Sequence, residues 1–116
     1  MELKDGWCRE TAHPSYRECW SPDMPSCGQC LVTALIIQEQ YGGDIYSCKV
    51  GRRSHFVNII NERIIDKTAE QFGGIHKIQY ITGSFKLRTR DSLLKSQDVK
   101  DRYALLKARL EDEYGN

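Results

Sequence analysis

The sequence predicts an α+β fold in which one buried helix precedes a small antiparallel sheet and an amphipathic helix follows it. Three patterns support this prediction. Residues 30–37 are apolar almost all round, three short β-like runs come next, and apolar residues recur at helical spacing near the C-terminus. A helix, then strands, then a helix is the order typical of an α+β domain.

The chain opens with a polar, irregular segment, residues 1–25, which contains all three prolines. We expect loops here, held down by two tryptophans. Ser26 and Gln29 have the spacing of a capping box, in which both side chains satisfy free amides at a helix start. A buried core helix is therefore predicted to begin at this box and to end at Gly42–Gly43.

Three short β-like runs follow the helix, and turns join them into an antiparallel meander. A helical turn at Thr68–Phe72 and a fourth strand at Ile78–Ile81 are also predicted. The last element is an amphipathic helix over Asp98–Asp112. The three runs cover residues 45–50, 55–60 and 64–66, and the apolar face of the last helix consists of Val99, Tyr103, Leu106 and Leu110.

Composition limits both the setting and the partners. The 116 residues include 17 Lys plus Arg and 16 Asp plus Glu, for a net charge of +1, so no overall field attracts nucleic acid or anionic lipid. No apolar run approaches the roughly 20 residues that span a bilayer, and the first residues lack the apolar core of a signal peptide. We expect one cytoplasmic domain over residues 1–116, with neither a nucleic-acid nor a membrane partner; the oligomeric state stays open.

The cysteines are the most informative residues. An odd number of them in a chain without an export signal favours free, catalytic or metal-bound thiols over a disulfide framework. Cys30 lies at the predicted helix start, where free amides and the helix dipole favour a thiolate. His55 opens the second β-like run and Asp66 ends the third, so these three residues form a candidate nucleophile, base and orienting acid. The five cysteines are Cys8, Cys19, Cys27, Cys30 and Cys48.

The turn between the second and third runs decides whether His55 and Asp66 can meet. A two-residue turn at Asn61–Glu62 pairs Ile60 with Arg63 and puts the histidine and the aspartate on one face as diagonal neighbours. A three-residue turn would put them on opposite faces. Singly, each candidate also has a structural interpretation, as a buried thiol, a strand-end histidine or a capping aspartate.

Cys27 and Cys30 allow two further interpretations. Zinc would need Cys8 and Cys19 as well, but ten residues separate those two and neither has a close partner, so we expect no metal and no cofactor. A thioredoxin-like dithiol would need a later cis-proline, but no proline follows Pro25. Cys27 remains a candidate resolving thiol, because a local disulfide with Cys30 is sterically feasible.

Several other side chains are secondary candidates. Gln29 and Trp20 are candidates for an oxyanion donor or for support of the site. The pair Arg52–Arg53 would meet an anionic substrate or form an ordinary charged turn. The two remaining histidines, His13 and His76, have no ligand spacing around them, and we expect both at the surface.

An ordered set of short motifs over nearly the whole chain resembles the bacterial YunG-like proteins, an uncharacterised family. The resemblance adds no activity by itself. Its motifs are Glu10–Thr11, Cys19–Pro22, Gly28–Cys30, Thr33–Leu35, Gly42–Gly43, His55–Asn58, Asp66–Thr68, Gln71–Phe72, Arg102–Tyr103, Leu105–Leu106 and Arg109.

A more distant likeness bears on chemistry. The run His-Phe-Val-Asn, a short hairpin and Asp-x-Thr are similar to the strands of transglutaminase-like and papain-like folds, in which a cysteine at a helix start comes first. This resemblance implies a papain-like or transglutaminase-like core, with Cys30 as nucleophile, His55 as base and Asp66 as orienting acid. It also implies thiol-dependent acyl transfer or hydrolysis of an amide or thioester in a small molecule or peptide. The alternative is a non-catalytic binding module on the same fold.

Overall fold

The computed structural model describes residues 3–113, and it contains a long central helix, a four-stranded sheet and a long C-terminal helix. Residues 3–29 form loops and three short 3-10 turns, in agreement with the predicted irregular segment. The helices are α1 (Cys30–Tyr41), α2 (Arg90–Leu93) and α3 (Gln97–Glu113), and the strands are β1 (Asp44–Val50), β2 (Arg53–Ile60), β3 (Arg63–Ile65) and β4 (Lys86–Arg88).

The sheet is antiparallel throughout, in the order β3-β2-β1-β4. The α+β prediction and the three-run meander are therefore confirmed. A two-residue turn at Asn61–Glu62 joins β2 to β3, with φ angles of 51° and 66°, as a right-twisted hairpin requires. Ile60 pairs with Arg63, which is the register that the sequence predicts.

Helix α1 runs through the centre of the molecule because the side chains of its first eight residues, 30–37, are apolar almost all round. All residues from Val32 to Ile37 are buried, and Asn58 on β2 donates a hydrogen bond of 2.9 Å to the carbonyl of Ala34. Helix α3 covers another side of α1. One core cluster joins Trp7, Val32, Ile36, Leu106 and Leu110.

Two predicted features are wrong. The capping box does not form: Gln29 is the N-cap residue without a side-chain cap, and α1 begins at Cys30. The Gln29 side chain instead points into the interior and forms two hydrogen bonds there. It accepts from the Thr11 hydroxyl at 2.8 Å and donates to the carbonyl of Cys8 at 2.9 Å.

The fourth strand also lies elsewhere in the chain. Residues 78–81 contribute only one bridge, between Tyr80 and Val50, because a turn closed by Ser84 and Ile81 reverses the chain directly afterwards. The segment that then runs along β1 is Lys86–Arg88. The helical turn predicted at Thr68–Phe72 is confirmed as a 3-10 turn over Ala69–Phe72.

Candidate functional site

Cys30 is the first residue of α1 and opens onto a cleft of about 340 Å³. The amides of a first helical turn have no partner within the helix, so they can face a negative charge. Gly28 lets the start of this helix pack closely against the preceding loop. Its φ is +75°, and a Cβ there would lie 3.0 Å from the Cβ of Tyr16, so a side chain at this position would push the preceding loop away.

His55 and Asp66 form a buried pair. His55 Nε2 lies 2.7 Å from Asp66 Oδ2, and both side chains are 1% exposed. Asp66 follows the last residue of β3, and the two-residue turn brings it to the face of β2 that carries His55. The predicted diagonal contact between these two residues is present.

Three further hydrogen bonds hold the Asp66 carboxylate in place. Tyr80 donates from Oη to Oδ2 at 2.6 Å, and Thr68 donates from its amide and its hydroxyl to Oδ1 at 3.2 and 3.3 Å. Burial and the bond to Asp66 raise the pKa of the Tyr80 hydroxyl, so it stays a donor. Both carboxylate oxygens therefore have fixed partners, and Asp66 can orient the imidazole.

The second imidazole nitrogen of His55 is available to Cys30. Nδ1 is buried and has no hydrogen-bond partner among the described residues, while Nε2 is occupied by Asp66. Burial lowers the pKa of His55, but its hydrogen bond to Asp66 and the nearness of Cys30 and Asp66 outweigh burial and raise the pKa to about 9. Phe72 contacts the ring edge to face, with centroids 4.9 Å apart. The imidazole is thus fixed between a carboxylate and a thiol.

The cleft above Cys30 is cationic. Arg52, Arg53 and Arg102 line it, and no carboxylate is among its lining residues. His13 also lines the cleft, where burial and the charge of Arg102 lower its pKa and favour the neutral ring. Arg53 is stacked, with its guanidinium carbon 4.3 Å from the ring centre of Tyr16 and 4.8 Å from that of Phe72. The site combines a thiol, a buried imidazole and an array of positive groups.

The other predicted site residues have different positions. Gln29 is fully buried, and its hydrogen bonds to Thr11 and Cys8 correspond to a supporting role. Trp20 donates from its indole to the carbonyl of Pro25 at 2.9 Å and so fixes the loop that leads to α1.

Cys27 has another thiol as its neighbour. Burial raises the pKa of Cys27, and the adjacent Cys19 raises it further. Cys30 is instead an electrostatic neighbour of His55 and Cys48. The pKa of Cys48 is raised to about 11, chiefly by burial. The Cys27–Cys30 disulfide stays a prediction, and all five cysteines are free here.

Sequence reasoning missed Tyr80, Arg102 and His13. Tyr80 lies within the segment predicted as a strand, and nothing in the sequence links it to Asp66. Arg102 belongs to the predicted amphipathic helix, where a buried arginine at helical spacing could have marked an inward-facing charge. His13 is exposed as expected, but it lies at the cleft.

Two further features are absent from the described residues. Among the side chains of residues 3–111, no cluster of three or more His, Cys, Asp or Glu could hold a metal ion. Over the same residues, no helix has the length and apolar character needed to cross a membrane.

Comparison with known proteins identifies relatives of the whole chain. The profile of the YunG protein family matches residues 1–115. The uncharacterized protein YunG of Bacillus subtilis (strain 168) is 44% identical over 82 residues, which cover 71% of this chain and 67% of that protein. No solved structure matches. The chain belongs to the YunG family.

Proposed function

We propose that this protein is a thiol-dependent acyl-transfer or hydrolytic enzyme that acts on an amide or thioester through Cys30, His55 and Asp66. One observation carries the proposal. His55 is buried with Nε2 held by Asp66 at 2.7 Å, while Nδ1 has no hydrogen-bond partner among the described residues and Cys30 is the neighbouring thiol at the mouth of a cleft. A nucleophile beside a base that a third group orients is the arrangement used in nucleophilic catalysis.

The chemistry follows from the positions of these groups. The Cys30 sulfur attacks the acyl carbonyl to form a carbon–sulfur bond, and the thiol proton passes to Nδ1 of His55. Nδ1 of His55 gives its proton to the departing amine or thiol as the bond to the carbonyl breaks. A water or acceptor then loses its proton to Nδ1, attacks the thioester and releases the Cys30 thiolate. The first amides of α1 stabilise the transient oxyanion.

The proposal includes a distant relationship to papain-like and transglutaminase-like folds. The features that support it are the chain order of Cys30, His55 and Asp66, the cysteine at a helix start and the two facing residues on an antiparallel sheet. The free state of all five cysteines supports a reducing, cytoplasmic setting.

The test is capture of the acyl intermediate. Protein is treated with p-nitrophenyl acetate at limiting reagent, and the acetylated residue is located by peptide mass spectrometry. We expect acetylation at Cys30, with nitrophenol release slowed at least about 100-fold in His55→Asn, since general base catalysis typically contributes that much or more. Cys19→Ser, which removes the exposed thiol, is the matched control and should react as the unaltered protein does.

Two results would contradict this proposal. One is acetylation spread evenly over Cys8, Cys19 and Cys30. The other is a rate unaffected by His55→Asn in protein whose circular dichroism shows the native fold. Either result favours the non-catalytic binding module.

A further inference from the structure

We propose that the substrate carries a carboxylate close to the scissile carbonyl, and that Arg53 is the residue that recognises it. This inference rests on the proposed function and names its substrate class. It is carried by the charge of the cleft, by the unusual environment of Arg53 and by the size of the space above Cys30.

The charge of the cleft is not neutralised from within. Arg102 is buried and bonds to Asp98 at 2.8 Å, so its charge is compensated. Arg52 and Arg53 form no ion pair with any of the described side chains, those of residues 3–111. Positive groups that converge on a cleft without a carboxylate attract an anionic ligand and raise its local concentration.

Arg53 is held in a fixed orientation by its neighbours. Tyr16 and Phe72 stack on its guanidinium, and Nη2 donates to Gln71 Oε1 at 3.1 Å. The same Gln71 oxygen accepts from the amide of Gly28 at 3.2 Å, which ties Arg53 to the loop that positions Cys30. A preoriented guanidinium loses little conformational entropy when it binds, so its interaction with a ligand is stronger.

The guanidinium still has donors to offer. An arginine carries five N–H groups; one on Nη2 is donated to Gln71, and the Cys27 thiol is a second neighbour of the guanidinium. Nε is buried and has no hydrogen-bond partner among the described residues. The end of the guanidinium, formed by Nη1 and the second Nη2 hydrogen, is a planar pair of donors that matches the two oxygens of a carboxylate.

The size of the cleft limits the ligand. A volume of about 340 Å³ is at the lower end of small-molecule sites, which range from about 300 to 1,000 Å³. The site therefore takes an acylated amino acid or the last residues of a peptide, with the terminal carboxylate at Arg53 and the preceding carbonyl at Cys30.

The first experiment compares two alkylating reagents at Cys30 in the full-length protein. Iodoacetate carries a carboxylate next to its reactive carbon, whereas iodoacetamide is neutral. We expect the ratio of the iodoacetate rate to the iodoacetamide rate to fall about tenfold in Arg53→Gln, which corresponds to about 1.4 kcal/mol, because the variant loses the charge-assisted hydrogen bond to the carboxylate of the reagent. Arg53→Lys, which keeps the charge and loses the planar fork, should give an intermediate ratio.

Arg63→Gln is the matched control, since it removes a positive charge on β3 that does not line this cleft. Its ratio should equal that of the unaltered protein. Equal ratios in Arg53→Gln and in the unaltered protein would overturn the carboxylate inference and leave Cys30 as a competent nucleophile. A Cys30 that reacts with neither reagent would contradict the proposed function instead.

The second experiment does not depend on the reactivity of Cys30. Binding of N-acetyl-alanyl-alanine and of its C-terminal amide to Cys30→Ser protein is measured by calorimetry. We expect the free acid to bind at least tenfold more tightly than the amide and to lose that advantage in Cys30→Ser with Arg53→Gln. Equal binding of both peptides, or tighter binding of inorganic phosphate than of the free acid, would overturn the inference.

Discussion

His55 shows how a few neighbours decide the state of one side chain. Burial alone would leave its imidazole neutral, because a charged ring is costly away from water. Asp66 on one nitrogen and Cys30 near the other reverse that preference and raise the pKa to about 9. A buried histidine that is charged at neutral pH therefore stabilises the fold as well as preparing the site.

The positive charge of the buried His55 predicts that the stability of the fold depends on pH. The folded-state pKa of His55, about 9, lies above the ordinary value of 6.5, so its stabilisation is complete below pH 6.5 and is lost as the pH rises through 9. We expect the free energy of unfolding to fall by roughly 3 kcal/mol across this interval, from about 1.4 kcal/mol for each unit of pKa difference. Urea denaturation at a series of pH values measures this decline.

Two variants separate this effect from general alkaline destabilisation. His55→Asn should flatten the decline between pH 6.5 and 9. His76→Asn changes an exposed histidine and should leave the decline unchanged. An identical profile in His55→Asn and the unaltered protein would contradict the assignment.

The cysteines provide a second residue-scale prediction. Because Cys19 is the thiol adjacent to Cys27, mild oxidation with diamide should link Cys19 to Cys27 and leave Cys30 open to alkylation. Peptide mapping under non-reducing conditions identifies the linked pair, and Cys19→Ser should abolish the link. A Cys27–Cys30 link as the main product would instead support the resolving role predicted for Cys27 from the sequence.

The sequence predicted the contact between His55 and Asp66 but not the contacts that surround it. The contact between His55 and Asp66 follows from strand alternation and a two-residue turn, which are local properties of the chain. The bond from Tyr80 to Asp66 and the stacking of Arg53 between Tyr16 and Phe72 join segments far apart in the sequence. Such contacts depend on how the loops pack, and local pattern carries no information about it.

Among the elements, the hairpin between β2 and β3 carries a strained residue. Both turn residues have positive φ. Glu62, at 66°, occupies a position where such a turn favours glycine. We expect Glu62→Gly to raise the free energy of unfolding by about 1 kcal/mol, because a side chain in the left-handed region costs about 1–2 kcal/mol. Thermal denaturation by circular dichroism measures the change.

A control on β4 tests whether the gain is specific to the turn. Lys86 is exposed and lies in a strand with negative φ, so Lys86→Gly should lower the melting temperature. A lower melting temperature in Glu62→Gly as well would show that Glu62 contributes a contact that outweighs its strain.

Element prediction succeeded where the local signal was strong. The apolar run of α1, the meander and the amphipathic pattern of α3 each decide their own structure. The prediction missed β4 because this strand is short and all three of its residues are exposed. Only its pairing with β1 makes it a strand. The capping box failed because Gln29 is drawn into the interior by partners in the N-terminal loops.

At the scale of the whole molecule, the N-terminal loops, α1 and α3 stabilise one another. Trp7 packs against Leu106 and Leu110, and its indole donates to Thr33 at 2.9 Å. The cleft is assembled from the same parts, because His13 comes from the loops, Cys30 from α1 and Arg102 from α3. Loss of the α3 contact should therefore affect both the fold and the site.

Adjacent leucines on α3 test this coupling. Leu106 is 0% exposed and Leu105 is 37% exposed. Leu106→Ala should lower the free energy of unfolding by about 2–5 kcal/mol through the cavity it leaves. Leu105→Ala should change it by less than about 0.5 kcal/mol. Urea denaturation followed by tryptophan fluorescence compares the two variants, and equal losses would contradict the packing described here.

The two-residue hairpin turn also constrains how related proteins can vary in length. An insertion or deletion of one residue between His55 and Asp66 would turn the carboxylate to the opposite face of the sheet, whereas a change of two residues would keep the faces aligned. Whether the number of residues between the histidine and the aspartate is even or odd therefore indicates, from sequence alone, whether the two side chains share a face of the sheet. Family members that differ here by an odd number are expected to have lost the histidine–aspartate pair unless a bulge restores the alignment.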